Sequence, residues 1–231
     1  MIPTMAKIIF DIETVGQDIE SFDQPIQEYL LKYAKTDEEE QLVKDSLSFY
    51  PVTAQIVTIA MLEAESDKAF VYYHVPEQQP QRLLENSAEY FSASNEKQLL
   101  ELFWSKMEKY DQFITFNGRA FDCPFIMIRS AINRVKPSKN LMPDRYRSNI
   151  HIDLMEKLTF LGAMRKKFSL HMWCQAFGIK SPKDDGVTGL DVKNLFKQAR
   201  YLDIARYCLR DVLATKELYN YWDKYINFPG A

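Results

Sequence analysis

Cysteine is scarce in this 231-residue chain: Cys123, Cys174 and Cys208 are odd in number, lie far apart and form no CxxC pair. That excludes a disulfide framework and a thiolate zinc cluster. A reducing cytoplasm is the expected setting, with the thiols packed as small hydrophobes. Histidine is equally rare, and His74, His151 and His171 show no metal-site spacing, which points them to structural or surface roles. Long apolar runs are missing too. The N-terminal MIPTMAKIIF is interrupted by Pro3 and Lys7 and followed at once by Asp11 and Glu13, so neither a signal peptide nor a membrane span is expected. No Pro/Gly/Ser-rich linker and no internal repeat divides the chain, so residues 1–231 are expected to form one domain. An apolar fraction of 46% is enough for a substantial core.

A basic excess, the usual footprint of a nucleic-acid partner, is also absent: the net charge is −3. Distribution matters more than the sum. From Arg129 to Lys183 there are twelve Lys or Arg against three acids, a local excess of +9. Two divalent cations, if acidic side chains hold them, would also turn −3 into about +1. The overall acidity is therefore no objection to a phosphate-rich substrate.

Residues Lys7 to Thr14 alternate with period two, Ile8, Phe10 and Ile12 on one face and Ile9, Asp11 and Glu13 on the other, which reads as a strand. Residues 16–50 read as a helical, acidic excursion. Gln55 to Leu62 and Ala69 to Val75 are rich in Ile, Val and Tyr and predict two further strands joined as a hairpin. Helical spacing begins after Asn95, a residue suited to an N-cap. A short strand at Phe113 to Phe116 then stops at Asn117 and Gly118, and Phe121 to Val135 resumes as a helix. A fifth strand is expected at Asn149 to Leu154. Helices are expected at Leu170 to Phe177, Asp191 to Ala199 and Asp203 to Tyr225. Three strands followed by alternating helix and strand predict an α/β fold, a mixed five-stranded sheet with helices on both faces.

Chemistry gathers at a few acids. Asp11 and Glu13, two apart on a strand, point to one face about 6.8 Å apart along the rise. Such a pair resists ionising in a cleft unless cations are present. Tyr207 and Asp211, four apart on the last helix, share a face. Asp122 opens the helix after the fourth strand, where a carboxylate also suits the helix dipole. Taken singly, each has an innocent reading as a strand end, a packed tyrosine or a helix-terminal acid.

Together, the segments DIET, FNGRAFDCPFI and YCLRD resemble the three exonuclease motifs of the DEDD nucleases, above all the proofreading domains of family B DNA polymerases and their free-standing relatives. The resemblance spans nearly the whole chain in the right order and implies a ribonuclease H-like fold and metal-dependent 3′→5′ exonuclease activity. Asp11, Glu13, Asp122 and Asp211 would be the metal-site carboxylates, with Asp11 bridging two Mg²⁺ or Mn²⁺ ions. Tyr207 would orient the attacking water, because a phenol of ordinary pKa about 10 is a poor base near neutrality. The histidine variant of the family would place His where Arg206 stands, so the tyrosine subclass, DEDDy, is implied. Thr14, Asn117 and Phe121 are expected to contact the 3′ end, and Arg165, Lys166 and Lys167 to grip the strand upstream. The implied partner is the 3′ end of single-stranded DNA or RNA, with no membrane. An RNA-trimming enzyme and a non-catalytic binding module on the same scaffold are the alternatives. The motifs do not account for residues 16–50, and no polymerase region follows the third motif, so any proofreading is expected to act in trans.

Overall fold

The computed structural model describes residues 6–76, 78–147, 149–182 and 189–228. Lys183, counted in the basic stretch, lies outside the described residues. Seven strands form one mixed sheet: β1 (Lys7–Gly16), β2 (Ala54–Glu63), β3 (Ala69–His74), β4 (Arg82–Glu85), β5 (Ala88–Ala93), β6 (Gln112–Thr115) and β7 (His151–Asp153). Their order is β4-β5-β3-β2-β1-β6-β7. The β1-β2, β2-β3 and β4-β5 pairs are antiparallel; β3-β5, β1-β6 and β6-β7 are parallel.

The α/β, ribonuclease H-like class stands, but the strand count is seven rather than five. The two unexpected strands, β4 and β5, form a hairpin whose turn residues Asn86 and Ser87 both have positive φ, 47° and 69°. That geometry closes a two-residue hairpin, yet Asn-Ser without glycine is a weak turn signal in a sequence. β4 lies at the sheet edge and is largely exposed, so it carries no inward-facing apolar stripe either.

Among the described residues, eight α-helices flank the sheet: α1 (Gln24–Leu31), α2 (Asp37–Ser46), α3 (Glu96–Met107), α4 (Asp122–Ile132), α5 (Leu154–Leu158), α6 (Leu170–Phe177), α7 (Val192–Lys197) and α8 (Tyr201–Tyr225). Asn95 accepts from Gln98 N as the N-cap of α3. None of these helices is long and apolar enough to cross a membrane. β1 sits between neighbours and is buried on both faces. Ile8, Phe10 and Ile12 pack with Leu99 and Phe103 of α3 and Phe125 of α4, whereas Ile9 packs with Cys208, Val212 and Leu218 of α8. Two cores therefore sandwich the strand that carries Asp11 and Glu13. The β1-β2 register slips between Glu13 and Thr14, where Val57 is the extra residue, and a bulge of this kind turns the strand end toward a site.

A buried ion pair fixes the excursion to this frame. Arg129 Nε and Nη2 donate to Glu96 at 2.8 and 2.5 Å, and Arg129 Nη1 donates to Pro51 O at 3.0 Å. Glu96 also accepts from Ile56 N at 2.7 Å and from Asn133 Nδ2 at 2.8 Å. Removing one partner strands a buried charge, so Arg129→Met is expected to cost about 3–5 kcal/mol in urea unfolding. The double change E96Q with R129M removes both charges and keeps an acceptor for Ile56 N, at the loss of the Asn133 hydrogen bond, and should lose less. Equal losses would contradict a buried charge pair.

Candidate active site

The acids meet at one end of β1. One carboxylate oxygen each from Asp11 and Glu13 and the Cys208 sulfur lie within 4.8 Å of one another. Asp122, in the first turn of α4, accepts from Ile12 N at 3.1 Å through Oδ1, which sets it beside the same strand. Tyr207 and Asp211 come from α8, and the tyrosine hydroxyl hydrogen-bonds the aspartate. Asp11, Asp122, Tyr207 and Asp211 share one cleft of about 420 Å³. Three segments far apart along the chain thus supply the four carboxylates and the tyrosine that the sequence singles out.

Burial and mutual repulsion dominate the electrostatics. Burial pushes the Asp11 carboxyl far above its ordinary range, and the charges of Asp122, Asp211 and Glu13 push it further. Glu13 is raised for the same two reasons, with Asp211 its strongest neighbour. Asp122 rises to about 7 through burial, although its backbone hydrogen bonds oppose the shift. The Tyr207 phenol is pushed well up by burial and then by the Asp211, Glu13 and Asp11 charges, so it keeps its proton. Burial likewise keeps Cys208 a thiol, and its sulfur points at Asp11 Oδ2, 3.8 Å away. Carboxylate oxygens predominate among the donors here, and hard donors of this kind suit a hard divalent cation. Buried and half-buried carboxylates that disfavour one another's ionisation are the donor set a divalent cation would relieve.

The expected substrate contacts divide. Asn117, Phe121 and Lys167 line the cleft. Arg165 and Lys166 are exposed and do not line it, and Lys166 Nζ lies 5.2 Å from the Phe168 ring. Thr14 lines a neighbouring cavity, and its hydroxyl donates to Ser48 O at 2.7 Å. Asn117 has φ 62°, a left-handed conformation that asparagine tolerates. At Gly118 an added Cβ would stand 2.4 Å from Thr115 Oγ1, so only glycine fits that turn.

Three neighbours of the cleft are not legible as such in the sequence. His171 lines it, and its Nδ1 lies 2.6 Å from Ser181 Oγ. Cys208 enters beside Asp11, and its one signal in the sequence is its place between Tyr207 and Asp211. Asp153, at the end of β7, accepts from Asn117 N at 3.0 Å, Arg119 N at 2.9 Å and Met155 N at 2.9 Å, and so shapes the loop that presents Asn117. Its one signal is an acid between a strand and a helix, which the strand pattern absorbs. His151 is buried with a pKa lowered to about 3, chiefly by burial, and its Nε2 bonds Thr115 Oγ1 at 2.9 Å.

Carboxylates from a central strand, a helix start and a long last helix, gathered at one end of a mixed sheet, define a ribonuclease H-like fold with an exonuclease-type acidic site. The chain belongs to the family described as "Predicted 3'-5' exonuclease related to the exonuclease domain of PolB", whose model matches residues 48–227. Asp122, Tyr207 and Asp211 fall within that match, while Asp11 and Glu13 precede it. Among solved structures, the chain is similar to the family B DNA polymerase from the hyperthermophilic archaeon Pyrobaculum calidifontis, with a TM-score of 0.57 and 16% sequence identity. That similarity covers 95% of this chain and 25% of the polymerase, so this chain spans about a quarter of the polymerase's length, and the likeness is one of fold. No curated protein matches the chain.

Raised acid pKa values have a definite sign in linkage. Between the ordinary value of 3.8 and about 7, folded Asp122 holds more proton than the unfolded chain does, so its contribution falls as pH rises through that window, by up to about 1.4 kcal/mol per pH unit. Relative to the parent in EDTA, Asp122→Asn should therefore become progressively more stabilising from acid to neutral pH. Adding Mn²⁺ should reverse the order at neutral pH. Thermal unfolding midpoints measure both, and a difference independent of pH would remove the repulsion argument.

Proposed function

We propose that this chain is a 3′→5′ exonuclease of the DEDDy class, hydrolysing single-stranded nucleic acid, DNA in preference to RNA, to nucleoside 5′-monophosphates. The gathering of Asp11, Asp122 and Asp211 with a proton-holding Tyr207 in one cleft, and of Glu13 beside Asp11, carries this reading. The four carboxylates would hold two Mg²⁺ or Mn²⁺ ions. Bound there, such ions supply charge for the phosphoryl oxygens and for the leaving 3′ oxygen, and acidify water.

The chain's own groups do the rest. Tyr207 keeps its proton and is anchored on Asp211, which leaves its oxygen to orient a water rather than to deprotonate it. Phe121 lies across the cleft at the start of α4, where an aromatic face can stack or wedge a base. Asn117 offers an amide in the same cleft, and Lys167 offers an ammonium group for a phosphate upstream. Arg165 and Lys166, outside the cleft, are assigned to a longer strand only. Phe116, Phe168 and Leu170 give the cleft apolar walls that limit water around the reacting phosphate.

The test is digestion of 5′-labelled single-stranded DNA, with its RNA counterpart competing, in Mg²⁺, Mn²⁺ or EDTA. A ladder shortening from the 3′ end is expected only with metal. Asp11→Ala and Asp122→Ala should lower kcat by a factor of at least about 100, and Tyr207→Phe by about 10 to 100 with metal binding retained. Digestion unaffected by Asp11→Ala would sink the site assignment, and turnover untouched in Tyr207→Phe would remove the tyrosine's role.

A further inference from the structure

Toward the end of α8 lies a cavity of about 640 Å³ that shares no lining residue with the carboxylate cleft. Tyr219, Trp222, Asp223 and Ile226 line it, at the i, i+3, i+4, i+7 spacing of a helix face that packs against something. Lys7 of β1 and Ile152 of β7 line it from the sheet, and the turn after α5 supplies Phe160 and Leu161. Trp222 comes eleven residues after Asp211, about 16 Å along the helix. An occupant here leaves the carboxylates uncovered.

The walls are largely apolar, and part of them is open to solvent. Tyr219, Trp222 and Ile152 are each 6% exposed and so lie recessed, whereas Phe160, Leu161 and Phe228 are 64%, 43% and 76% exposed. Single apolar side chains on a surface are ordinary, but three around one concavity mark an interaction surface. Two of the three are held there at a conformational cost. Phe160 and Leu161 both have positive φ, 48° and 57°, a left-handed conformation that bulky side chains avoid. Backbone outliers of this kind cluster where a surface clamps a ligand.

Charge narrows the choice of occupant. Of the acids in the lining, Glu156 is paired with Arg119 at 3.5 Å and Arg145 at 2.8 Å, and Asp223 accepts from Asn227 Nδ2 at 2.8 Å. The two lysines have neutral partners: Lys7 Nζ donates to the Tyr219 hydroxyl at 3.0 Å, and Lys157 Nζ stands 6.0 Å from the Trp222 ring centroid. Burial opposes charge on Lys7, yet the Tyr219 bond and the acids Glu65 and Asp223 farther off outweigh it, so the ammonium stays charged. We propose that this cavity docks a short segment of a partner protein in which bulky apolar side chains are flanked by acidic ones. The apolar side chains fill the concavity against Trp222, Phe160 and Leu161, and the acidic ones pair with Lys157 and Lys7. A volume of about 640 Å³ is in the range that accepts such a segment's anchoring side chains. A nucleic-acid strand fits less well, because two lysines offer little to a run of phosphates and the recessed Tyr219 and Trp222 rings present no open face for stacking. Docking there tethers the chain to a partner while the cleft stays open.

Fluorescence anisotropy tests this with a labelled, amidated peptide of two glutamates followed by leucine, phenylalanine and leucine. One counterpart has lysines in place of the glutamates, and another has serines in place of the apolar residues. The parent is expected to bind the first peptide saturably and the other two at least about tenfold more weakly. Phe160→Ala and Lys157→Glu should each weaken the first peptide by about tenfold. Lys157→Glu should also tighten the lysine peptide, a gain that misfolding cannot produce. Tyr33→Ala, exposed on the excursion and outside this cavity, should behave as the parent. Oligonucleotide digestion by Phe160→Ala and Lys157→Glu should keep the parent's kcat and KM, which separates this site from the nuclease reading. Absence of saturable binding of the first peptide up to about 1 mM, or equal binding of all three, overturns the proposal. So does a labelled single-stranded oligonucleotide whose binding falls in both variants while the peptide's does not, because the face is then a nucleic-acid surface.

Discussion

Acidic side chains confined to one half-buried notch repel one another, and the rest of this structure is arranged to keep them there. Three of the donors that reach them are neutral: the Ile12 amide on Asp122, the Cys208 thiol toward Asp11 and the Tyr207 hydroxyl on Asp211. Neutral donors position a carboxylate without cancelling its charge, and so leave the attraction for a cation intact. The free energy that offsets the repulsion comes from the two apolar cores on either side of β1. A strand buried on one face only could not anchor two ionisable groups this firmly.

The sheet order follows from the same constraint. β1 lies between antiparallel β2 and parallel β6, so its end opens where α4 begins and where α8 crosses. Each of the three acidic segments then reaches the notch from a different direction. The buried Glu96–Arg129 pair adds a fourth connection, joining α3, α4 and the return of the excursion at Pro51. Asp122 and the return of the excursion are therefore held by one network.

Much of this is legible in the sequence, because period-two and helical patterns and three short motifs are local signals. β1, β2, β3, β6 and β7 and the long helices appear close to where the pattern puts them. The hairpin β4-β5 does not show, since its turn lacks glycine and its edge strand lacks an apolar face. α5 is hidden because it follows β7 without a break, capped by Asp153 itself. Within the site, motif residues can be named from spacing, but His171 and Asp153 owe their places to tertiary packing that no spacing encodes. Charge counting is the least informative guide: of Arg165, Lys166 and Lys167, only the last lines the cleft, since a run of cations says nothing about which one the backbone turns inward.

Asp153 has a further consequence. Its carboxylate takes up the amides of Asn117 and Arg119 on one side and of Met155 and Glu156 on the other, so the loop bearing Asn117 is already shaped by the protein's own hydrogen bonds. A loop ordered in advance loses little entropy when a ligand arrives. Discrimination between ligands at this cleft is then a matter of how long each stays, since a rigid site meets all of them at similar rates.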